Sequence, residues 1–423
     1  MNGAAMHALA TRLWPIARSL TGPGFRESLA IIAETAGPME MHRWPTGEQV
    51  LDWQVPDEWA IREAWIRGPG GEVVIDFADH NLHVLGYSEP IHRTLPLEEL
   101  QGHLHSIPEQ PTAIPYVTSY YRRRWGFCLA HAVRERLVDG DYEVYIDADL
   151  GPGHVEVGEV VIEGGEREVL FSTYCCHPSM ANNELSGPVI AAHLAAAVRA
   201  RPSRRHTYRF LFLPETIGSI CYLARFGERL RERLAAGYVI TCAGDRGALT
   251  YKRSRRGDSL ADRVAEHVLR GSEHQVIDFF PLGSDERQFC SPGFNLPVGS
   301  LMRTRYGTYP EYHTSLDDLS FITPEALGDT LEKYVAIVGA LEANDTLASA
   351  EPYGEPQLGK RGLYPTLGGP RAVEQAVSDM MWLLNLCDGT QDLVAVAERA
   401  GRPLAELAPI AERLIEAGLL LRA

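Results

Sequence analysis

Positive charge is scarce in this sequence. Its 423 residues include 40 Lys and Arg against 56 Asp and Glu, a formal net charge of −16. Contacts from basic side chains to phosphates supply most non-specific affinity for nucleic acid, so a nucleic-acid partner is not expected. Long apolar runs are missing too. No stretch approaches the roughly 20 apolar residues that cross a bilayer. His7, Arg12 and Arg18 interrupt the apolar residues of the N-terminus, where a signal peptide needs an unbroken core. There is no Cys-x-x-Cys pair: the seven cysteines lie scattered at Cys128, Cys175, Cys176, Cys221, Cys242, Cys290 and Cys387. An odd, unpaired set fits free thiols in a reducing compartment. The expectation is a cytoplasmic protein with no membrane partner. Three catalytic signatures are also missing. There is no G-x-S-x-G elbow, no P-loop, and no dinucleotide fingerprint ahead of a suitable helix.

What is present is organised around 171–187, FSTYCCHPSMANNELSG. With Val169 and Leu170, its start is a short apolar and β-branched run that reads as a buried strand. Polar residues then crowd in: His177, Ser179, Asn182, Asn183, Glu184. Ser186 is a fitting N-cap and Pro188 suits a first helical turn. A His and a Glu therefore stand between the carboxyl end of a strand and a helix, where sites form in open α/β sheets.

Before this stretch, helical spacing covers 6–20 and 25–36. From about residue 40 the texture changes to short strands and many aromatics, among them Trp53, Trp59 and Trp65. This predicts a small β-rich module. Within it, YVTSYYRRRW at 116–125 reads as an aromatic–cationic wall of a small-molecule site or as packing at a domain seam. From Tyr142 onward the pattern is α/β, with strands over 208–213, 237–242, 276–280 and 296–302, and a helix from Pro324 capped by Thr323. Residues 346–371 are rich in Gly and Pro and read as a linker. Residues 372–423 carry three short helical patterns and a terminal strand, with Thr390 as a cap, and match a winged helix. That unit has four Arg and no Lys against eight Asp and Glu. It is therefore expected to be a packing or assembly module, on its own catalytic domain or in a homo-oligomer, rather than a reader of DNA.

His177, Glu215, Asp245, Asp285 and His313 each follow an apolar run. Ionisable groups at successive strand ends converge on one edge of a parallel sheet. Two His with carboxylates form a ligand set suited to zinc, and a further Glu can serve as general base.

The runs STYCCHPSMANNELSGP, FLFLPETIGSICYL, GSDERQFCSPGFNLPVGSLMRTRYGTYPEYHTSLDDL and EPQLGKRGLYP resemble the bacterial aminopeptidase-like family with the M28-type zinc exopeptidase fold. The opening segments WPIARSLTGPGFRESL and PTGEQVLDWQVPDEW resemble it as well. The resemblance implies an α/β fold with a three-layer phosphorylase/hydrolase-like catalytic domain over 1–56 and 127–345. It also implies a small inserted β-rich domain over 57–126 and a C-terminal winged-helix domain. His177 and His313 match the first and last M28 ligands. Asn183 stands at the bridging Asp, with Glu184 beside it. Thr216 follows Glu215 where M28 peptidases have a Glu-Glu pair. An Asn cannot bridge two cations as a carboxylate does. The implied centre is thus one zinc held by His177, His313 and one or two of Glu184, Asp245 and Glu215. Glu215 is the expected base and is grouped with Asp285 as catalytic. Arg287, Arg303, Tyr306 and Asn183 are the expected substrate contacts, the arginines for a carboxylate. The implied activity is hydrolysis of peptide or amide bonds in a small molecule or short peptide. The alternatives are an inactive binding protein of the same fold and a winged-helix regulator.

Overall fold

The apolar run at the centre of the sequence becomes the strand Glu168–Tyr174, buried at every residue. In this computed structural model, which describes residues 2–363 and 370–423, that strand lies inside an eight-stranded sheet. In sheet order the strands are Glu40–Pro45, His154–Ile162, Thr207–Leu213, Glu168–Tyr174, Leu234–Val239, Val298–Met302, Leu249–Lys252 and His274–Ile277. The middle four run parallel, and the flanking strands add antiparallel pairs. Parallel strands covered on both faces need apolar residues at every position, which explains why Thr207–Leu213 and Leu234–Val239 are also buried throughout.

Helices cover both faces. Gly158 sits under Met39 and Leu29, while the next residue, Glu159, accepts a hydrogen bond from Tyr222. Successive strand residues point to opposite faces. The helix Pro23–Ala36 therefore lies on one side of the sheet and Ile217–Arg233 on the other. The helix Ser186–Arg199 packs with Gly3–Leu13 and Pro23–Ala36. Its first turn comes so close to the sheet that a Cβ on Gly187 would lie 2.3 Å from Ile240 O.

The inserted module is a four-stranded antiparallel sheet in the order Val73–Asp76, Glu58–Arg67, Asp141–Gly151, Ile91–Pro96. Its boundary differs from the expected 57–126. Asp141–Gly151 pairs with Glu58–Arg67 on one side and Ile91–Pro96 on the other, so the module continues to 151. Between its strands the chain makes a 3-10 turn, Asn81–His83, followed by isolated bridges at Val84 and Gly86. Trp59, Ile66, Val144 and Ile146 of the module share one contiguous apolar core with Leu170, Leu211 and Val239 of the large sheet.

The chain divides into two compact units, Met1–Asp262 with Glu273–Glu332, and Arg263–Ser272 with Lys333–Ala423. The second holds a three-stranded sheet in the order Asp388–Asp392, Thr346–Ser349, Leu420–Arg422. Its helices are Pro370–Leu386, Leu393–Ala400 and Leu404–Glu416. The expected linker thus begins with a strand of this sheet, and its part at 364–369 lies outside the described residues. Thr390 lies in a strand, and Asp392 caps the following helix instead, accepting from Ala395 N–H at 3.0 Å. Among the described residues no helix is long and apolar enough to cross a membrane.

Candidate active site

The strand Glu168–Tyr174 delivers Cys175, Cys176 and His177 to the carboxyl edge of the sheet. A π-helical turn, Ala181–Leu185, then precedes the helix, a feature common at functional sites. Ser186 is therefore the first helical residue and not an N-cap. Its hydroxyl donates to Asn182 O and accepts from Ala243 N–H. The π turn buries Glu184 against His177. Glu184 Oε1 contacts His177 Nδ1, and Oε2 accepts the Cys176 N–H at 2.9 Å. Glu184, expected among the metal ligands, thus lies against His177 and Cys176, and the three bring ligand atoms within 4.8 Å of one another. A carboxylate on one ring nitrogen fixes the tautomer and leaves Nε2 as the donor. Cys176 also neighbours Glu184, with Sγ 3.6 Å from Oε1. Burial holds its thiol well above the usual value, so it remains protonated.

His313 closes the site from the far end of the chain. Its ring stacks on Tyr312 at 3.9 Å, meets Tyr116 edge-on at 5.3 Å and lies 5.2 Å from the His177 ring. His313 Nε2 is buried with no hydrogen-bond partner. Burial pushes the His313 imidazole down to about 4, and burial with the His313 charge pushes His177 well below its usual value. Both rings are therefore neutral at pH 7, the form that binds metal.

Glu215 follows Pro214 at the end of Thr207–Leu213, with Oε2 3.7 Å from His177 Nε2. Burial and the charge of Asp285 raise its carboxyl to about 8, and Arg287 opposes them. The next residue, Thr216, has φ 65° and ψ −70°. A β-branched residue at positive φ is strained. Asp285 secures that turn, accepting from Thr216 N–H at 2.8 Å and from the Ser219 hydroxyl at 2.9 Å. Asp285 thus positions Glu215 from behind and does not reach the cavity. Burial raises its own carboxyl to about 6. Other non-glycine residues at positive φ around the site are Tyr120, Ser179, Cys242 and His313.

Other expected site residues are committed elsewhere. Asp245 accepts from Asn182 Nδ2 at 2.9 Å, Gly247 N–H at 2.6 Å and both donors of Thr304. Its oxygens are filled by this local network, which corrects its assignment as a ligand. Arg303 donates to Gly247 O, Thr330 and Asp329. Tyr306 OH joins Lys252 and Glu286 in a buried cluster. Neither lines the cavity, so both substrate assignments fail because structural partners already use these groups. Asn183 is buried, with Nδ2 toward Tyr174 OH and Cys242 Sγ and with Oδ1 unpartnered. It too is absent from the cavity wall.

The cavity measures about 380 Å³. His177, Glu215, Thr216, Arg287 and His313 form its polar side, and Tyr116, Thr118, Tyr120, Tyr121 and Trp53 form the other. The run at 116–125 is thus a wall of the cavity through its tyrosines. Arg123 pairs with Asp57, and Arg124 donates to Thr118 O. Sequence reasoning missed Trp53, which enters from the hairpin Gln49–Val50/Trp53–Gln54. It also missed Asp317, whose carboxylate accepts the Asn182 and Asn183 N–H groups at 2.6 and 2.9 Å. A polar residue accepting backbone N–H groups of a distant turn leaves no periodic signal. Cys176, His177 and Glu184 form a buried cluster that could hold a divalent ion, and His313 Nε2 and Glu215 stand on the same cavity as His177.

Comparison with known proteins adds to this geometry. The family described as a domain of unknown function, DUF4910, matches residues 7–344, and a winged helix-turn-helix family matches residues 345–422. A Clostridium acetobutylicum protein, provisionally described as a polysaccharide biosynthesis protein with an aminopeptidase-like domain, is 44% identical over 422 residues, 99% of this chain and 96% of its own. A crystal structure from C. acetobutylicum, provisionally described as a peptidase, matches with a TM-score of 0.93 at 43% identity, covering 100% of this chain and 96% of that one. BSAP, a zinc aminopeptidase from Bacillus subtilis, matches with a TM-score of 0.57 at 12% identity over 80% of this chain and 95% of its own. Identity that low speaks for the fold alone.

Proposed function

We propose, from the premise that the chain belongs to the DUF4910 family and has the fold of the zinc aminopeptidases, that it is a zinc-dependent hydrolase of amide bonds in small molecules or short peptides. The observation that carries this reading is the pair of buried imidazoles 5.2 Å apart, one with a bare Nε2 and the other held by a carboxylate through Nδ1. Imidazole nitrogens with the Glu184 carboxylate against His177 make a borderline donor set that suits zinc. One ion is assigned, because Asn183 and Thr216 stand where a second would need carboxylates. The C. acetobutylicum relative's description as aminopeptidase-like supports hydrolysis and leaves the substrate open.

In this assignment His177 and His313 hold the ion, and Glu184 keeps His177 in the binding tautomer. A bound zinc would supply Lewis-acid polarisation of the scissile carbonyl. A cation beside it would favour the ionised form of Glu215, which takes a proton from the attacking water and returns it to the leaving nitrogen. Asp285 and the Thr216 turn fix the direction in which Glu215 points. The aromatic wall excludes bulk water from the reacting groups.

Glu215→Gln tests the reading. It should keep zinc and lower turnover by about 10²–10⁴. Loss of zinc together with activity would make Glu215 a ligand instead. Unchanged turnover would remove it from the mechanism. A second reading, a binding protein without turnover, is favoured by Asn183 and Thr216. It would be upheld if zinc-loaded protein bound amides and cleaved none.

A further inference from the structure

An aminopeptidase substrate arrives with a protonated amine, which needs a carboxylate not otherwise engaged. Among the described residues Glu215 is the one carboxylate on the cavity wall, and the chemistry above already uses it. The acids behind it do not line the cavity: one oxygen of Asp285 holds Thr216 and Ser219, one oxygen of Glu286 holds Lys252 and Tyr306, and the second oxygen of each is buried. The cavity's one guanidinium among the described residues is Arg287, which faces the charges of Glu215 and Asp285. Arg287 lines the wall and donates Nη2 to Thr216 Oγ1 at 2.9 Å. Its Nε is buried without a partner. Since Nε is buried, a carboxylate in the cavity would meet this guanidinium through its terminal nitrogens.

The opposite wall is aromatic. Trp53 and Tyr121 stand 6.0 Å apart, and they are 41% and 53% exposed. Tyr116 and Tyr120 also line the cavity and join hydroxyls at 2.9 Å. Exposed aromatics that cluster at a cavity, rather than lying scattered, mark a binding surface.

We propose that the site takes N-acylated amino acids rather than peptides with a free amine. Arg287 grips the carboxylate, the amide carbonyl faces the two histidines, and a flat acyl group rests against Trp53 and Tyr121. This rests on the hydrolase reading and names its substrate class. Hydrolysis joins the oxygen of water to the acyl carbon and breaks the C–N bond. The amino acid leaves with a proton from that water on its nitrogen.

Binding separates this inference from turnover. Calorimetry on zinc-loaded Glu215→Gln protein would use three probes: N-benzoylglycine, N-benzoylglycinamide and phenylalanine amide. A charge-assisted fork predicts that the acid binds about tenfold or more tighter than either neutral or cationic probe. Arg287→Gln should erase that preference, and Arg287→Lys should keep part of it. Trp53→Ala should weaken both benzoyl probes alike and leave their ratio unchanged. Thermal melting of each variant establishes that it is folded. Should Arg287→Gln fail to fold, Arg287→Lys carries the test, because its ratio must lie below that of the parent. Equal binding of acid and amide, tighter binding of phenylalanine amide, or a preference that survives Arg287→Gln would each overturn the inference. So would absence of binding by all three. If the acid preference is found and wild-type protein cleaves no acyl amino acid, the substrate class stands and the hydrolase reading falls.

Discussion

Replacing Glu184 by Gln changes two atoms at the centre of the site and almost no volume. The carboxylate is fully buried and meets two donors, His177 Nδ1–H and the Cys176 N–H at 2.9 Å. An amide offers one oxygen, so whichever way it turns its NH₂ faces a donor. One charge-assisted bond is lost, at about 1.5–3 kcal/mol, and a buried donor is left unmatched. Unfolding free energy should fall by about 1–3 kcal/mol, read by chemical denaturation of the metal-free protein. The larger signature concerns zinc. A carboxylate that orients a liganding imidazole typically contributes about 10–100-fold in metal affinity. Competition with a chromophoric chelator should show a loss in that range, with one equivalent still bound at saturation. Two results would refute the reasoning. Unchanged affinity would mean that the His177 ring needs no help from Glu184. A loss as complete as that of His177→Ala would return Glu184 to the ligand set.

Acid should weaken the fold through Glu159. Burial raises its carboxyl, but His42, Tyr222 and Arg209 outweigh burial and hold it at about 2, below the usual 4.5. The stabilisation is therefore complete above about pH 4.5 and drains as the pH falls toward 2, by about 2–3 kcal/mol in all. Arg209→Met should move the acid-unfolding midpoint, followed by circular dichroism, to higher pH; an unmoved midpoint would mean the pair is balanced by its desolvation. Thr216→Gly should relieve strain at φ 65° and raise stability by about 1 kcal/mol while lowering activity, since Arg287 loses its hydroxyl partner. A loss of stability would show that no strain is stored there. Despite its winged helix, the full chain should not shift duplex DNA in a low-salt gel, and a salt-sensitive shift would restore a regulator role.

The parallel strands were legible because their burial is complete. Runs such as YRFLFL are apolar on both faces save for Arg209, which is buried against Glu159 and Glu168. The limit of the inserted module was missed for the opposite reason. In Asp141–Gly151 the buried residues Tyr142, Val144, Ile146 and Ala148 alternate with less buried ones, the mark of a half-covered antiparallel strand. That alternation was in the sequence and was read as the start of the α/β series. His177, Glu215 and His313 were found because topology alone brings strand ends to one edge. Asp245 shares that position, yet Asn182 and Thr304 capture it. Which neighbour reaches a carboxylate first depends on side-chain geometry that spacing does not encode. Glu184 illustrates the same limit, since only the π turn decides that it faces His177 Nδ1 and not the cavity.

The pairing of Glu40–Pro45 with His154–Ile162 also sets an order of events in synthesis. When the edge strand leaves the ribosome its partner does not yet exist. The chain must first run out through Glu58–Arg67 and Ile91–Pro96 and return along Asp141–Gly151. The inserted sheet can close on itself at that moment, whereas the N-terminal helices still await Ser186–Arg199. Long-range contacts form late because loop closure precedes any gain from them. The inserted sheet is therefore expected to form before the catalytic sheet. In pulse-labelled hydrogen exchange its amides gain protection before those of Glu40–Pro45. Until then the nascent chain displays an unpaired strand edge, the state that chaperones recognise.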